Sequence, residues 1–257
     1  MGIAGINKVA IVGANGQMGG LFSKDFARVG CEVTKLSRPY SDDEICATLT
    51  DCDLLMLSVP VTAMESVLDQ MLPHLSAPTI LCDVGSVKMQ PMKVMLDKYD
   101  GPIVGTHPLF GPVIPKGFTP KVAIMPGRDT DTKAASKVAA LMDACGYVSF
   151  DSTPEEHDRS MAFIQGLNFT STVAFLAAAR DVDGIENFLT PSFQRRLDAA
   201  GKMLNQDMEL FEIISEANPF LQETNRKFMS YLSLAAGGDL DLLADRAQWW
   251  WQDNKTY

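Results

Sequence analysis

Two short segments gather residues able to do chemistry: Asp83-Val-Gly-Ser86-Val-Lys88 and Gly105-Thr-His107-Pro-Leu-Phe-Gly-Pro112. Neutral imidazole is suited to accepting a proton near neutral pH, and of the three histidines His107 is the best placed, just after a strand-like run. Taken alone, the same residue also reads as a structural turn histidine backed by Pro108. A third segment, Gly13-Ala-Asn15-Gly16-Gln17-Met18-Gly19, has G-x-x-G-x-x-G spacing between a strand-like and a helix-like run. In that context small residues let a pyrophosphate approach the backbone, and the helix N-terminus supplies N–H groups and partial positive charge to hold it. A dinucleotide turn and a base at the same sheet edge point to hydride transfer from an alcohol carbon, with His107 taking the hydroxyl proton.

At the end of the second strand, where an NAD site offers a carboxylate to the ribose hydroxyls, the chain has Ser37 and Arg38. A guanidinium pairs with a 2'-phosphate and stacks on adenine, which favours NADP over NAD. The competing reading makes Arg38 a solvated loop residue, with Asp42, Asp43 or Glu44 reaching the ribose and NAD as the cofactor.

These segments need elements to hold them. Up to Phe150, short β-rich runs alternate with helical stretches, the rhythm of a parallel sheet covered by helices. Strands are predicted at Val9–Val12, Glu32–Leu36, Leu54–Val59, Thr79–Val84, Ile103–Gly105, Val122–Met125 and Tyr147–Phe150, with a helix over Gln17–Val29. Beyond Phe150 helix signals take over. Thr153-Pro154-Glu155-Glu156 spells a capping box with proline in the first turn. A boundary near residue 152 follows, giving an α/β domain, a Rossmann-like doubly wound sheet over 1–152, and an all-α domain over 153–257. The first helix of that second domain carries Met161, Phe163, Ile164, Leu167, Val173 and Phe175 around so much of its circumference that it is expected to be buried, and a homodimer built through the helical half is predicted. Further helices start at Pro191 and Pro219, Gly237-Gly238 break the latter, and Trp249–Trp251 close the chain as core or interface anchors.

With 257 residues, 46% of them apolar, the chain has enough material for two cores. A formal charge of −10 without a basic run argues against a nucleic-acid surface. Five irregularly spaced cysteines, Cys31, Cys46, Cys52, Cys82 and Cys145, fit reduced thiols rather than a disulfide framework, and no metal site is expected. No signal peptide and no stretch of membrane-spanning length is apparent, so a cytoplasmic protein is expected.

Ser58-Val59-Pro60, Asp83-Val-Gly-Ser-Val-Lys88, Gly105-Thr-His-Pro-Leu-Phe-Gly-Pro112, Glu156-His157-Asp158 and Phe163-Ile-Gln165 together resemble the prephenate dehydrogenase family. They look most like the dehydrogenase part of bifunctional chorismate mutase/prephenate dehydrogenases, with no mutase region expected before residue 9. The resemblance implies prephenate as substrate, hydride transfer to NADP and loss of carbon dioxide to give 4-hydroxyphenylpyruvate. It implies that Ser58, Val59 and Pro60 join Gly13, Asn15, Gly16, Gln17, Met18, Ser37 and Arg38 around the cofactor, and that His107 accepts the proton. Ser86 then hydrogen-bonds the reacting hydroxyl or orients His107, and Lys88 attracts a substrate carboxylate. Duller readings stand beside these: Ser86 as a helix cap, Lys88 as a surface charge, and His157 as either lining the site or decorating a helix start. Gln165 either reaches substrate or packs as a polar core residue.

The departures bear on substrate choice. Relatives place a carboxylate-binding arginine on the helix of Pro191 to Met208, and aligning on Gln206-Asp207 puts Gln194 there, with Arg195 and Arg196 as neighbouring candidates, an adjacent helical residue pointing about 100° away. A histidine common in relatives is replaced by Asn168 or Phe169. Arogenate dehydrogenase, the same chemistry on an amine, is therefore an alternative, and so is a catalytically silent NADP-binding redox sensor.

Overall fold

The computed structural model describes residues 2–205 and 207–252, leaving aside the side chains of Glu209 and Leu210 and placing the alignment anchor Gln206 outside the described residues. The chain forms two compact units, one running up to Met161 and including Glu212–Asn218, the other made of Ala162–Phe211 and the described residues from Pro219 onward.

The first unit is built on seven strands: β1 (Lys8–Val12), β2 (Glu32–Leu36), β3 (Leu54–Leu57), β4 (Ile80–Asp83), β5 (Ile103–Pro108), β6 (Lys121–Pro126) and β7 (Val148–Asp151), in the order β2-β1-β3-β4-β5-β6-β7. The helices α1 (Gln17–Arg28), α2 (Asp42–Leu49), α3 (Val61–Met71), α4 (Met89–Lys98) and α5 (Thr132–Ala144) cover it, and α6 (Pro154–Met161) follows β7. Alternate strand residues serve opposite faces, as period-two geometry requires. Val9 and Ile11 pack with Phe22 and Phe26 of α1 and Val138, Leu141 and Met142 of α5. Ala10 and Val12 pack with Met64, Val67 and Leu68 of α3 and Met92 and Met95 of α4. Every residue of β3 and β4 is buried, the continuous apolar pattern of strands covered on both sides.

The sheet is not wholly parallel: β6 runs antiparallel to β5. A parallel return needs a crossover with room for a helix. Residues 109–120 contain Pro112, Pro115 and Pro120 and form none, so the chain doubles straight back. β5 also runs on to Pro108, which moves His107 from the expected loop into the strand, opposite Ala123.

In the second unit α7 (Asn168–Ala179), α8 (Pro191–Asn205), the start of α9 (Met208–Ala217), α10 (Leu221–Ala236) and α11 (Leu240–Ala247) are joined by short turns, and Gln248–Trp251 is a 3-10 turn. Between α6 and α7, Ala162–Leu167 is π-helical. A Cβ on Gly166 would come within 2.5 Å of Leu221, so glycine permits the close crossing onto α10. Phe169 stacks on Phe211 with centroids 4.9 Å apart.

Three features of the single chain differ from the outline drawn from sequence. The first compact unit runs past residue 152, because α6 carries buried His157 and Asp158 into it. The continuous helical stretch Pro154–Ala179, 26 residues with a mean hydropathy of 1.3 in its most apolar window, is by length and composition alone long and apolar enough to cross a membrane, contrary to the sequence reading. Nor is that helix buried within the single chain, where 28% of the window is covered.

Candidate functional site

The turn after β1 is shaped by two glycines. Gly13 has φ +84°, and a Cβ there would lie 2.1 Å from the Ser58 carbonyl oxygen; one on Gly19 would lie 2.4 Å from that of Gly13. Only glycine fits both places. The turn is tied to its neighbours by Gly13 N–H donating to the Leu36 carbonyl (2.9 Å) and Asn15 N–H donating to Ser37 Oγ (3.2 Å). Gln17 and Met18 begin α1, whose N-cap, Gly16, offers no side-chain acceptor. Its first N–H groups are therefore not capped from within.

Beside this turn lies a cavity of about 350 Å³, lined by Val12, Gly13, Gly16, Arg38, Tyr40, Ser58, Val59, Pro60, Ala63 and Val67. Arg38 is exposed at its wall and has no ion pair among the described residues. Tyr40 Oη is buried without a hydrogen-bond partner among the described residues, an arrangement that costs free energy until a ligand supplies one. Two of the three acidic residues of the competing reading are engaged elsewhere. Glu44 closes a capping box on Ser41, and Asp42 Oδ1 lies 3.5 Å from His74 Nε2. An apolar wall, a cationic side chain and an orphan hydroxyl next to a glycine cradle fit a phosphorylated nucleoside. Sequence reasoning missed Tyr40, since a tyrosine two residues past Arg38 carries no motif.

The second feature is a buried polar cluster in the same unit. β5 supplies Thr106 and His107, the β4–α4 connection Asp83 and Lys88, α6 His157 and Asp158, and the end of α9 Asn218. The predicted capping box forms at the start of α6, with Glu156 N–H donating to Thr153 Oγ1 (3.2 Å) and Thr153 N–H donating to Glu156 Oε2 (3.1 Å). It fixes the turn that carries His157 and Asp158 inward. His107 Nδ1 lies 2.7 Å from His157 Nε2, and His157 Nδ1 lies 2.8 Å from Asp158 Oδ1. Asp158 in turn accepts the N–H of Lys88 at Oδ1 (2.8 Å) and that of Met89 at Oδ2 (2.9 Å). Since α4 has no side-chain cap of its own, this carboxylate is its tertiary cap and meets the positive end of its dipole. Asn218 Nδ2 donates to the Asp158 carbonyl (2.8 Å) and fixes the same residue from the other side.

Beneath the imidazoles, Lys88 Nζ pairs with Asp83 Oδ2 and donates to the Thr106 carbonyl (2.8 Å), and Thr106 Oγ1 donates to the Asp83 carbonyl. Both charged side chains are 0% exposed. His107 itself is 3% exposed. Its pKa is pushed well below the ordinary histidine value, first by burial and then by the electrostatic influence of its neighbours His157 and Lys88. It is a neutral base at physiological pH.

The structure brings His107, His157 and Lys88 together, with Lys88 in surroundings other than those expected. Lys88 is interior and committed to Asp83 and Thr106, so it does not fit a substrate-carboxylate contact. His157 is 4% exposed and uses both ring nitrogens inside the protein, so it orients groups rather than lining a surface. Ser86 is half-buried in the bend before α4 and does not hold His107, whose Nδ1 is taken by His157. In the helical unit, Gln165 sits in the π-helical stretch with a buried Oε1 that has no partner among the described residues. Arg195 is exposed on α8, Arg196 lies 3.5 Å from the centroid of the Phe175 ring, and Gln194 donates to Asp198 (2.8 Å).

Comparison with known proteins agrees with this construction. The family described as prephenate dehydrogenase, nucleotide-binding domain, matches residues 32–150. T-protein of Enterobacter agglomerans is 30% identical over 263 residues, which covers 97% of this chain and 69% of that protein. Across four curated relatives that it matches, the chain spans between 42% and 69% of their length. Arogenate dehydrogenase of Synechocystis superposes with a TM-score of 0.75 at 21% identity, covering 94% of this chain and 96% of that one. Prephenate dehydrogenase of Aquifex aeolicus, solved with hydroxyphenyl propionate and NAD+, gives 0.73 at 19% identity, covering 94% and 95%. The two structures share the fold, and the T-protein match extends the relationship along nearly the whole sequence. This chain belongs to the prephenate dehydrogenase family of oxidoreductases.

Proposed function

We propose that the chain oxidatively decarboxylates prephenate to 4-hydroxyphenylpyruvate, a step of tyrosine biosynthesis, with NADP as the hydride acceptor. The observation that carries this is a neutral, buried imidazole at the carboxyl edge of the sheet whose first turn is a glycine cradle. In this reading His107 Nε2 takes the hydroxyl proton of the substrate. The bound nicotinamide supplies the two-electron oxidation, and the carboxylate leaves as carbon dioxide with its bonding pair completing the aromatic ring. Gly13, Asn15, Gly16, Gln17 and Met18 hold the pyrophosphate, with Ser58, Val59 and Pro60 along the opposite wall. Ser37 and Arg38 face the 2'-phosphate, which Tyr40 joins through its free hydroxyl. Ser86 bonds the reacting hydroxyl, and Gln165, Arg195 and Arg196 serve the substrate carboxylates. The protein works in the cytoplasm as a homodimer joined through its helical unit.

Arogenate is the second reading, favoured by Gln194 at the position where the family resemblance expects an arginine, and in line with relatives named arogenate or arogenate/prephenate dehydrogenase. Steady-state absorbance of the reduced cofactor, with prephenate or arogenate and NADP or NAD in each combination, tests the proposal. Turnover of prephenate with NADP supports it. Activity confined to arogenate moves the substrate, activity confined to NAD overturns the role of Arg38, and NADP binding without turnover of either substrate returns the reading to a silent sensor.

A further inference from the structure

We propose that a neutral His157 and Asp158 form a positioning pair that fixes the tautomer of His107, so that its Nε2 is the unprotonated nitrogen. Asp158 is 0% exposed, and each carboxylate oxygen already accepts a backbone N–H from the start of α4. A carboxylate held in this way accepts hydrogen bonds and donates none. The nitrogen of His157 that faces it, Nδ1, therefore carries a proton. In a neutral imidazole the other nitrogen is then an acceptor, and His157 Nε2 is the atom 2.7 Å from His107 Nδ1. The single hydrogen of that contact belongs to His107 Nδ1. Its Nε2 is left with a lone pair and makes no hydrogen bond among the described residues.

The charged groups facing the pair set the same polarity. Lys88, anchored to Asp83 and Thr106, disfavours a second proton on His107, while the Asp158 carboxylate meets the Nδ1 side of His157. A flip of His107 to the Nε2–H form would set two lone pairs against each other across a buried contact. The pair acts on His107 and does not touch substrate, so it is a positioning device, and its place in catalysis rests on the proposed function above.

The test begins without substrate. With three histidines in the chain, selectively 15N-labelled imidazoles can be assigned by comparing wild type with His157→Gln and His74→Gln. The expected result is a neutral His107 protonated at Nδ1; protonation at Nε2 overturns the proposal whatever the enzyme's substrate. Kinetics supply the second readout. In His157→Gln the amide oxygen still accepts from His107 and its nitrogen still donates to Asp158, so kcat should stay within about tenfold of wild type. In His157→Phe the acceptor is gone, and kcat should fall on the order of 10³–10⁴-fold with KM little changed. Equal losses in Gln and Phe would contradict tautomer control. The predicted tautomer in a protein that turns over neither prephenate nor arogenate would leave the pair intact and sink the functional reading alone.

Discussion

Lys88 shows how far a residue's type can mislead about its place. A lysine at the start of a helix, in a segment expected to meet an anionic substrate, reads as an anion receptor, yet its ammonium is enclosed and paired with Asp83. Removing one partner of a buried ion pair strands the other, so Lys88→Met should lower the unfolding free energy by about 3–5 kcal/mol, measured by urea denaturation. A substrate-binding lysine would instead raise KM and leave stability nearly unchanged. His107 makes the complementary prediction in pH. Its pKa is depressed, so the base stays neutral until the solution is more acidic than the ordinary value near 6.5, and the acid limb of kcat/KM should have its midpoint below about 6.5. Linkage has the same sign: the unfolded chain binds this proton near pH 6.5 and the folded chain only at lower pH, so stability present above about 6.5 is lost as pH falls toward the folded value. His107→Asn should flatten that part of the urea-midpoint profile, and an unchanged slope would contradict the burial assigned to this ring. His107 was legible because few histidines compete for the role. Its partners were not, since no local signal tells that residues 157 and 158 return to residue 107.

At the scale of elements, the first strand, glycine turn and helix were readable because strand period, glycine spacing and helix start all agree over a short span. Gly13 makes that turn testable. Alanine there meets both the Ser58 carbonyl and a left-handed backbone, so Gly13→Ala should abolish measurable NADP binding in a fluorescence titration and destabilise the protein by about 1–2 kcal/mol or more. Nearby, Arg38→Ala should weaken NADP by about 10–100-fold while changing NAD affinity little, because a charge-assisted bond to phosphate contributes about 1.5–3 kcal/mol. Equal weakening of both cofactors would remove the 2'-phosphate from the account. Less legible was the antiparallel β6, decided by what residues 109–120 fail to form, and the extension of β5 through His107, which depends on pairing with β6 across the sheet. Non-local pairing of this kind leaves no trace in the periodicity of either strand.

For the whole molecule, the sequence marked where the sheet ends and helices begin, but the compact units follow buried contacts rather than secondary structure, so α6 and the segment Glu212–Asn218 count with the sheet. The helical unit leaves Phe163, Ile164, Leu232, Leu242 and Trp251 exposed, more apolar side chains than a lone soluble domain usually shows. Light scattering at micromolar concentration should give twice the 28.0 kDa chain mass, and a monomer would contradict the proposed assembly. The central claim, that His107 is the base of a dehydrogenase, is tested most directly by single turnover of His107→Asn beside wild type, with NADP and prephenate both saturating and NADP affinity measured on the same samples. NADP affinity should be unchanged and the rate of reduced-cofactor formation lower by about 10²–10⁴-fold. A variant that binds NADP and turns over at the wild-type rate would contradict it.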